Sequence, residues 1–272
     1  MPLYMDRHYV EGITKTLIAQ VHDLDVAMQA KYPVKFLTYW FDEPRCTGNC
    51  LVVSPDKETI RRAHNEAHGN VPNEIIEVDL SIVEAFLGRV RDLTPVDNFV
   101  EPPVDSAFRT IMFTDLKDST LMTTLFGDTK ALHMLHIHNA LIRNALREYR
   151  GSEVKHTGDG VMASFVNVED AVRCAVVIQK AFAEHNRRDP NESLHIRVGL
   201  SAGEPLEEDG DFFGSVVQLS ARICAYAEPD HILAAQIVRD ECQSHRDVFV
   251  EVGKITPKGF DRPISVHEVK WQ

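Results

Sequence analysis

No stretch of this chain approaches the roughly 18 apolar residues that a membrane helix requires, and no secretory leader pattern opens it. Cysteine is scarce. Cys46, Cys50, Cys174, Cys224 and Cys242 are odd in number and scattered through 272 positions. That usage fits reduced thiols in the cytoplasm better than a disulfide framework. Positive charge is in deficit, with 29 Lys and Arg against 41 Asp and Glu, a net charge of −12 and no long basic run. Neither a nucleic acid nor an anionic membrane is an expected partner of such a chain. A small anion held by a few placed cations is still compatible with it. A G-x-x-x-x-G-K-[ST] loop is missing, which disfavours a P-loop NTPase. H-E-x-x-H is missing too, which disfavours a zinc hydrolase. No internal repeat or low-complexity tract interrupts an otherwise ordinary globular composition.

Within that frame the pattern of the chain predicts an α+β protein of two ferredoxin-like α/β sandwich units, 1–79 and 107–272, joined by 80–106. In the first unit, strand-like Leu3-Tyr4-Met5 precedes a helix with Ile13, Leu17, Ile18, Val21 and Leu24 on one face. Lys35 to Trp40 and Cys50 to Val53 read as strands on either side of a turn. Ser54-Pro55 reads as a helix start that runs to a Gly69 cap, and Ile75 to Val78 as the last strand. The order βαββαβ is the ferredoxin-like pattern. Ser81-x-x-Glu84 suggests a capping box over the apolar run Ile82 to Val90. Pro95, Pro102 and Pro103 then bar a continuous helix. That short helix either packs on one unit or transmits a signal, and both readings stay open.

The second unit opens on a strand, Arg109 to Thr114, followed by helices near Ser119–Phe126 and Lys130–Tyr149. A hairpin follows, Glu153–His156 and Val161–Phe165 around Gly158-Asp159-Gly160. Asn167 caps a helix to about Glu184, His195 to Ser201 forms a strand, and Gly214 to Ala227 a helix over a mostly antiparallel sheet. His133, His136 and His138 do not share one face of the long helix, which suggests surface or dimer-contact positions.

Two acids carry the chemistry. Asp115 ends a strand and Asp159 sits at a hairpin tip, so both can meet on one sheet edge. Alone, the first would be a helix cap and the second a turn residue. Together they offer the oxygen ligands that hard divalent cations take, and such cations organise triphosphates.

FTDLKDST, EVKHTGDGVMASF, DFFGSVVQLSARI and PKGF, in this order, resemble the catalytic domain of the class III adenylyl and guanylyl cyclases over about Phe108 to Val269. The resemblance implies a homodimer whose active sites are built from both protomers. It implies two Mg²⁺ or Mn²⁺ ions per site on Asp115, Asp159 and the Leu116 carbonyl. Leu116, Ser119 and Thr120 would run beside the β- and γ-phosphates. Lys155 and Asp211 match the residues that read the base. A Lys donor and an Asp acceptor fit the N1 and 6-amino edge of adenine, so ATP is expected over GTP. Arg222 matches the transition-state arginine, and Gln218 stands where relatives carry Asn. Lys258 matches the lysine that binds the leaving pyrophosphate. Asp118, often Gly in relatives, is expected to cap the following helix. The implied product is cyclic AMP. A catalytically weak or inactive cyclase-like module is the alternative.

TYWFDEP, CLVVSPDKETIRRAHNEAHG and NEIIEV resemble a family of small ferredoxin-like domains, some described as nickel-binding. That resemblance implies a regulatory unit with an unknown metal or small-molecule effector. His64 and His68 share a helix face at i, i+4, and His8 with Cys46 or Cys50 would complete a transition-metal shell. A sensor acting through this unit is the third reading.

Overall fold

The computed structural model describes residues 1–88, 90–91, 106–156, 158–204 and 214–272, with 207–208 and 211–212 described by their backbone. Pro95, Pro102 and Pro103 lie outside the described residues. The chain divides into two compact units, Met1–Phe108 with Pro205–Phe212, and Arg109–Glu204 with Phe213–Gln272.

The first unit runs β1 (Leu3–Tyr9), α1 (Lys15–Ala27), β2 (Lys35–Asp42), β3 (Thr47–Val53), α2 (Lys57–Ala67), β4 (Glu74–Glu77) and α3 (Leu80–Leu87). Its sheet has the order β2-β3-β1-β4, antiparallel throughout. This is the split βαβ arrangement that the element order predicts. Tyr4, Phe36, Phe41 and Val52 from the sheet close a core with Ile18 of α1 and Ile60 and Ala63 of α2. Two helix starts differ from expectation. Asp56, not Ser54, caps α2 by accepting from Thr59 N at 2.7 Å. Asp79, not Ser81, caps α3 by accepting from Ser81 N at 2.8 Å. A carboxylate at the N-cap also meets the positive end of the helix dipole, which a hydroxyl does less well. α3 stops at Gly88, whose φ of +76° is the left-handed conformation glycine adopts freely.

The second unit runs β5 (Arg109–Leu116), α4 (Ser119–Phe126), α5 (Asp128–Glu148), β6 (Ser152–His156), β7 (Val161–Phe165), α6 (Val168–Arg188), β8 (Ile196–Gly203), α7 (Gly214–Tyr226), β11 (Ile232–Ala235), α8 (Gln236–Glu241), β12 (Phe249–Ile255) and β13 (Ile264–Val269), while the short pair β9 (Glu207–Glu208) and β10 (Asp211–Phe212) falls within the Pro205–Phe212 stretch of the first unit. Its seven-stranded sheet has the order β12-β13-β11-β8-β5-β7-β6, with β11 and β8 parallel. Asn167 caps α6 by accepting from Glu169 N and Asp170 N. α7 lies against β8 so closely that a Cβ on Gly199 would sit 2.3 Å from Cys224 N. Ser220 anchors the same contact, its Oγ 2.8 Å from Ile111 O and 3.0 Å from Gly199 O. His138 departs from the surface reading: it is fully buried on α5, its ring edge-on to Phe182 at 5.6 Å, while His133 and His136 are exposed.

Candidate functional site

β5 delivers Asp115 to the end of the central strand, and the β6–β7 turn brings Asp159 beside it. The join is a backbone bond, Leu116 N to Asp159 O at 3.0 Å. Below the turn, Val161 N donates to Thr114 Oγ1 at 3.0 Å. Ser119, at the first turn of α4, donates its Oγ to Asp159 Oδ2 at 2.5 Å. Asp115, Leu116, Lys117, Asp118, Ser119, Thr120 and Asp159 line one open cleft of about 500 Å³, closed on the other side by Arg197 and 225–229.

Asp118 occupies the cap position of α4 but does not act as expected. Its φ of 56° is left-handed and its side chain makes no capping bond. The backbone supplies the turn instead, through Leu121 N to Asp118 O at 2.9 Å. Asp tolerates that conformation better than most side chains, and it lets the chain reverse from β5 into α4.

Arg197 is the residue that sequence reading missed. It stands opposite Asp115 in the β5–β8 register. Its Nε donates to Asp115 Oδ2 at 2.7 Å, and Nη1 donates to Ala225 O at 3.0 Å. A charged residue inside the otherwise apolar run Ile196 to Leu200 was the available signal. Its partner lies 82 positions away and only the folded sheet reveals it.

The other expected residues sit elsewhere in the chain. Lys155 is exposed on β6, the edge strand. Gln218 is half-buried and Arg222 exposed, one turn apart on α7. Gln218 Oε1 lies 4.0 Å from the point where a Gly259 side chain would begin, so it faces the turn that carries exposed Lys258. Asp211 is placed by its backbone on β10. None of Lys155, Gln218, Arg222 and Lys258 lines the Asp115–Asp159 cleft.

In the first unit His64 is fully buried between two carboxylates. Its Nε2 lies 2.9 Å from Asp6 Oδ2 and its Nδ1 2.8 Å from Asp25 Oδ1. His68 Nε2 lies 3.0 Å from the same Asp25 oxygen, and His8 Nε2 3.2 Å from Asp6 Oδ1. Burial pushes His64 down, but Asp6 and Asp25 outweigh it and raise its pKa to about 10. Burial pushes Asp6 and Asp25 up, yet the facing imidazoles hold both below the usual carboxylate range. Cys46 is not in this group: its Sγ faces Glu43 O at 3.6 Å. Cys50 is buried and lines a small cavity beside the cluster with His8, Asn49 and His68. The buried acids Asp6 and Asp25 were missed. One is an acid in the buried middle of β1, beside Arg7 and His8, and the other an acid on the inner side of α1.

Residues 104–268 match the adenylate and guanylate cyclase catalytic domain family. Residues 4–78 match the family of nickel responsive proteins described as SCO4226-like. An adenylate cyclase of Mycosarcoma maydis is 33% identical over 186 residues, which is 59% of this chain and 7% of that protein. The chain spans 40% or less of the length of such curated relatives. The crystal structure of an adenylate/guanylate cyclase/hydrolase from Silicibacter pomeroyi is 30% identical, with a TM-score of 0.53 over 60% of this chain and 95% of its own. The guanylyl cyclase Cya2 shares the fold at 21% identity, with a TM-score of 0.51 over 60% of this chain and 91% of its own. No helix among the described residues is long and apolar enough to cross a membrane.

Proposed function

This chain belongs to the adenylate and guanylate cyclase catalytic domain family, and from that premise we propose that it converts ATP to cyclic AMP and pyrophosphate at sites shared between two copies. One observation carries the reading: the strand end and the hairpin tip are tied by the Leu116–Asp159 backbone bond, which puts both carboxylates on one cleft.

The donors in that cleft are carboxylate, hydroxyl and backbone carbonyl oxygens, the set that Mg²⁺ and Mn²⁺ prefer. Two such ions, when bound, lower the pKa of the ribose 3′-hydroxyl and neutralise the triphosphate and its leaving group. Asp115, Asp159 and the Leu116 carbonyl would hold them. Ser119 steadies Asp159 through its hydroxyl. Thr120 and the Leu116–Ser119 backbone flank the phosphates. Arg197 neutralises Asp115 when no cation is there. Once freed, its guanidinium is placed to meet a phosphate oxygen in two-point fashion.

Lys155, Gln218, Arg222 and Lys258 do not line this cleft in their own chain, and in this reading a second copy supplies the base readers and transition-state groups. In this reading Lys155 donates to adenine N1 and Asp211 accepts from the 6-amino group. Arg222 and Gln218 stabilise charge at the α-phosphoryl group, and Lys258 takes the pyrophosphate. Purified protein incubated with Mn²⁺ and either ATP or GTP tests the assignment: cyclic AMP is expected, and Lys155→Glu should move preference toward GTP. Equal or greater cyclic GMP formation by the wild type would overturn the ATP reading.

A second reading concerns the first unit, as a transition-metal sensor that governs the cyclase. His64 Nδ1, His68 Nε2 and Asp25 Oδ1 form a triangle with edges of 2.8, 3.0 and 3.2 Å. Neighbouring ligands about an octahedral ion with bonds of about 2.1 Å stand about 3 Å apart, so the donor set fits. Buried His8 Nδ1 and Asn49 Oδ1 have no hydrogen-bond partner among the described residues and border the adjoining cavity. Asp6, bonded to the far nitrogen of His64, would orient that ring as an outer carboxylate does. Metal analysis after Ni²⁺ loading should show an ion that His64→Ala and His68→Ala lose and Cys46→Ala keeps. Equal occupancy in all four proteins would refute this site.

A further inference from the structure

β6 carries Lys155 and leads into the turn that carries Asp159, so whatever aims this strand aims two parts of the proposed machinery. Its path is irregular. The β6–β7 register pairs Glu153 with Ala163 and then Lys155 with Met162, which leaves a bulge at Val154. In a regular strand Glu153 and Lys155 would share a face and His156 would lie opposite. The bulge moves the alternation by one, so Glu153 and His156 fall on one side and Lys155 on the other.

α5 holds the shifted side at two points one helical turn apart. Arg143 donates to Glu153 from Nε at 2.7 Å and from Nη2 at 2.8 Å. Asn139 Oδ1 lies 2.9 Å from His156 Nε2 and 2.9 Å from the Nδ1 of buried His138. An amide oxygen only accepts, so both imidazoles present N–H to it. His156 Nδ1 is then left with its lone pair, and Gly158 N–H donates to it at 3.2 Å. Asp159 follows directly. A continuous line of hydrogen bonds therefore runs from the core of α5 to the acidic turn.

We propose that His156, clamped by Asn139, is a positioning residue that fixes Lys155 on the face away from α5 and holds the Asp159 turn in its metal-binding shape. The inference rests on the roles given above to Lys155 and Asp159. The two bonds of His156 are separable by substitution. An Asn at 156 can still accept from Gly158 N–H but is too short to reach Asn139. A Gln can reach Asn139 but does not place an acceptor beside Gly158.

The experiment uses the full-length chain and its His156→Ala, His156→Asn and His156→Gln variants, each checked for a wild-type melting transition. Mn²⁺ binding is read without nucleotide by electron paramagnetic resonance, counting the ions whose binding Asp159→Ala abolishes. ATP dependence is read as KM and kcat separately. His156→Ala should weaken Mn²⁺ binding and raise KM, each by about tenfold, the scale of one lost hydrogen bond of 1 to 1.5 kcal/mol, with a smaller change in kcat. His156→Asn should recover most of the Mn²⁺ affinity and His156→Gln most of the KM. A folded His156→Ala with wild-type Mn²⁺ affinity and KM overturns the proposal, as does failure of both Asn and Gln to improve on Ala. If the wild type itself binds no Mn²⁺ lost in Asp159→Ala, the metal role of Asp159 has failed and the clamp falls with it.

Discussion

The two units treat charged side chains in opposite ways. In the first, two acids and an imidazolium are sealed from solvent and satisfy one another, with Asp6 and His64 both fully buried. In the second, Asp115 and Asp159 face an open cleft and lean on groups that can be exchanged, a serine hydroxyl and the Arg197 guanidinium. Sealed charges cost desolvation that only a complete set of partners offsets. Open charges cost little and can accept a ligand quickly. The first arrangement suits a site that holds its occupant and reports on it, the second a site that turns substrate over.

The sharpest way to break this contrast is at the cleft. Asp115→Ala or Asp159→Ala should reduce kcat by about a hundredfold to a thousandfold or more, the scale of removing one preorganised charge-stabilising group. Melting curves should be nearly unchanged, because neither acid is sealed. In the first unit the same kind of change should act on stability. His64→Ala leaves two buried carboxylates facing each other and should cost about 3–5 kcal/mol in urea unfolding of that unit. The pH dependence follows from the raised pKa of His64. Its contribution is complete below the ordinary histidine value near 6.5 and is lost as pH rises toward about 10. Chelator-treated protein should therefore melt at progressively lower temperature across that window. Asp6 and Asp25, held low, contribute above about pH 4 and lose their contribution as pH falls further.

Smaller effects sharpen the comparison. Gly199→Ala should cost about 1–3 kcal/mol, because the new methyl meets the Cys224 backbone of α7 and no side chain there can yield. It should also displace Gln218 and Arg222 and so lower kcat, which calorimetry and assays can read together. Asp79→Ala removes only the α3 cap and should cost about 1 kcal/mol.

Much of this was legible before folding. Hydrophobic periodicity gave the ferredoxin-like order of the first unit, and α4 runs over the predicted Ser119–Phe126. Asn167 announced α6 because an N-cap is a local device, needing only the amides two and three residues on. Asp115 and Asp159 were visible as a pair because each sits at a turn-forming position that strand ends expose. The misses are of another kind. Arg197 acquires its meaning from a strand partner 82 residues away. Asp6 and Asp25 become the counter-charges of His64 only when β1, α1 and α2 pack together. The Val154 bulge follows from pairing with β7 and has no glycine to mark it. The left-handed Asp118 defeated a capping rule that assumes an extended backbone at the cap.

The most direct measurement is a mixing assay on two inactive variants, Asp115→Ala and Arg222→Ala. If acids from one copy work with the arginine of another, a random mixed dimer carries one intact site and one doubly defective site. Co-refolded at equal amounts, the pair should then recover about a quarter of wild-type cyclic AMP formation. A mixture as inactive as its two components, with mixed dimers demonstrated, would contradict a site divided between two chains.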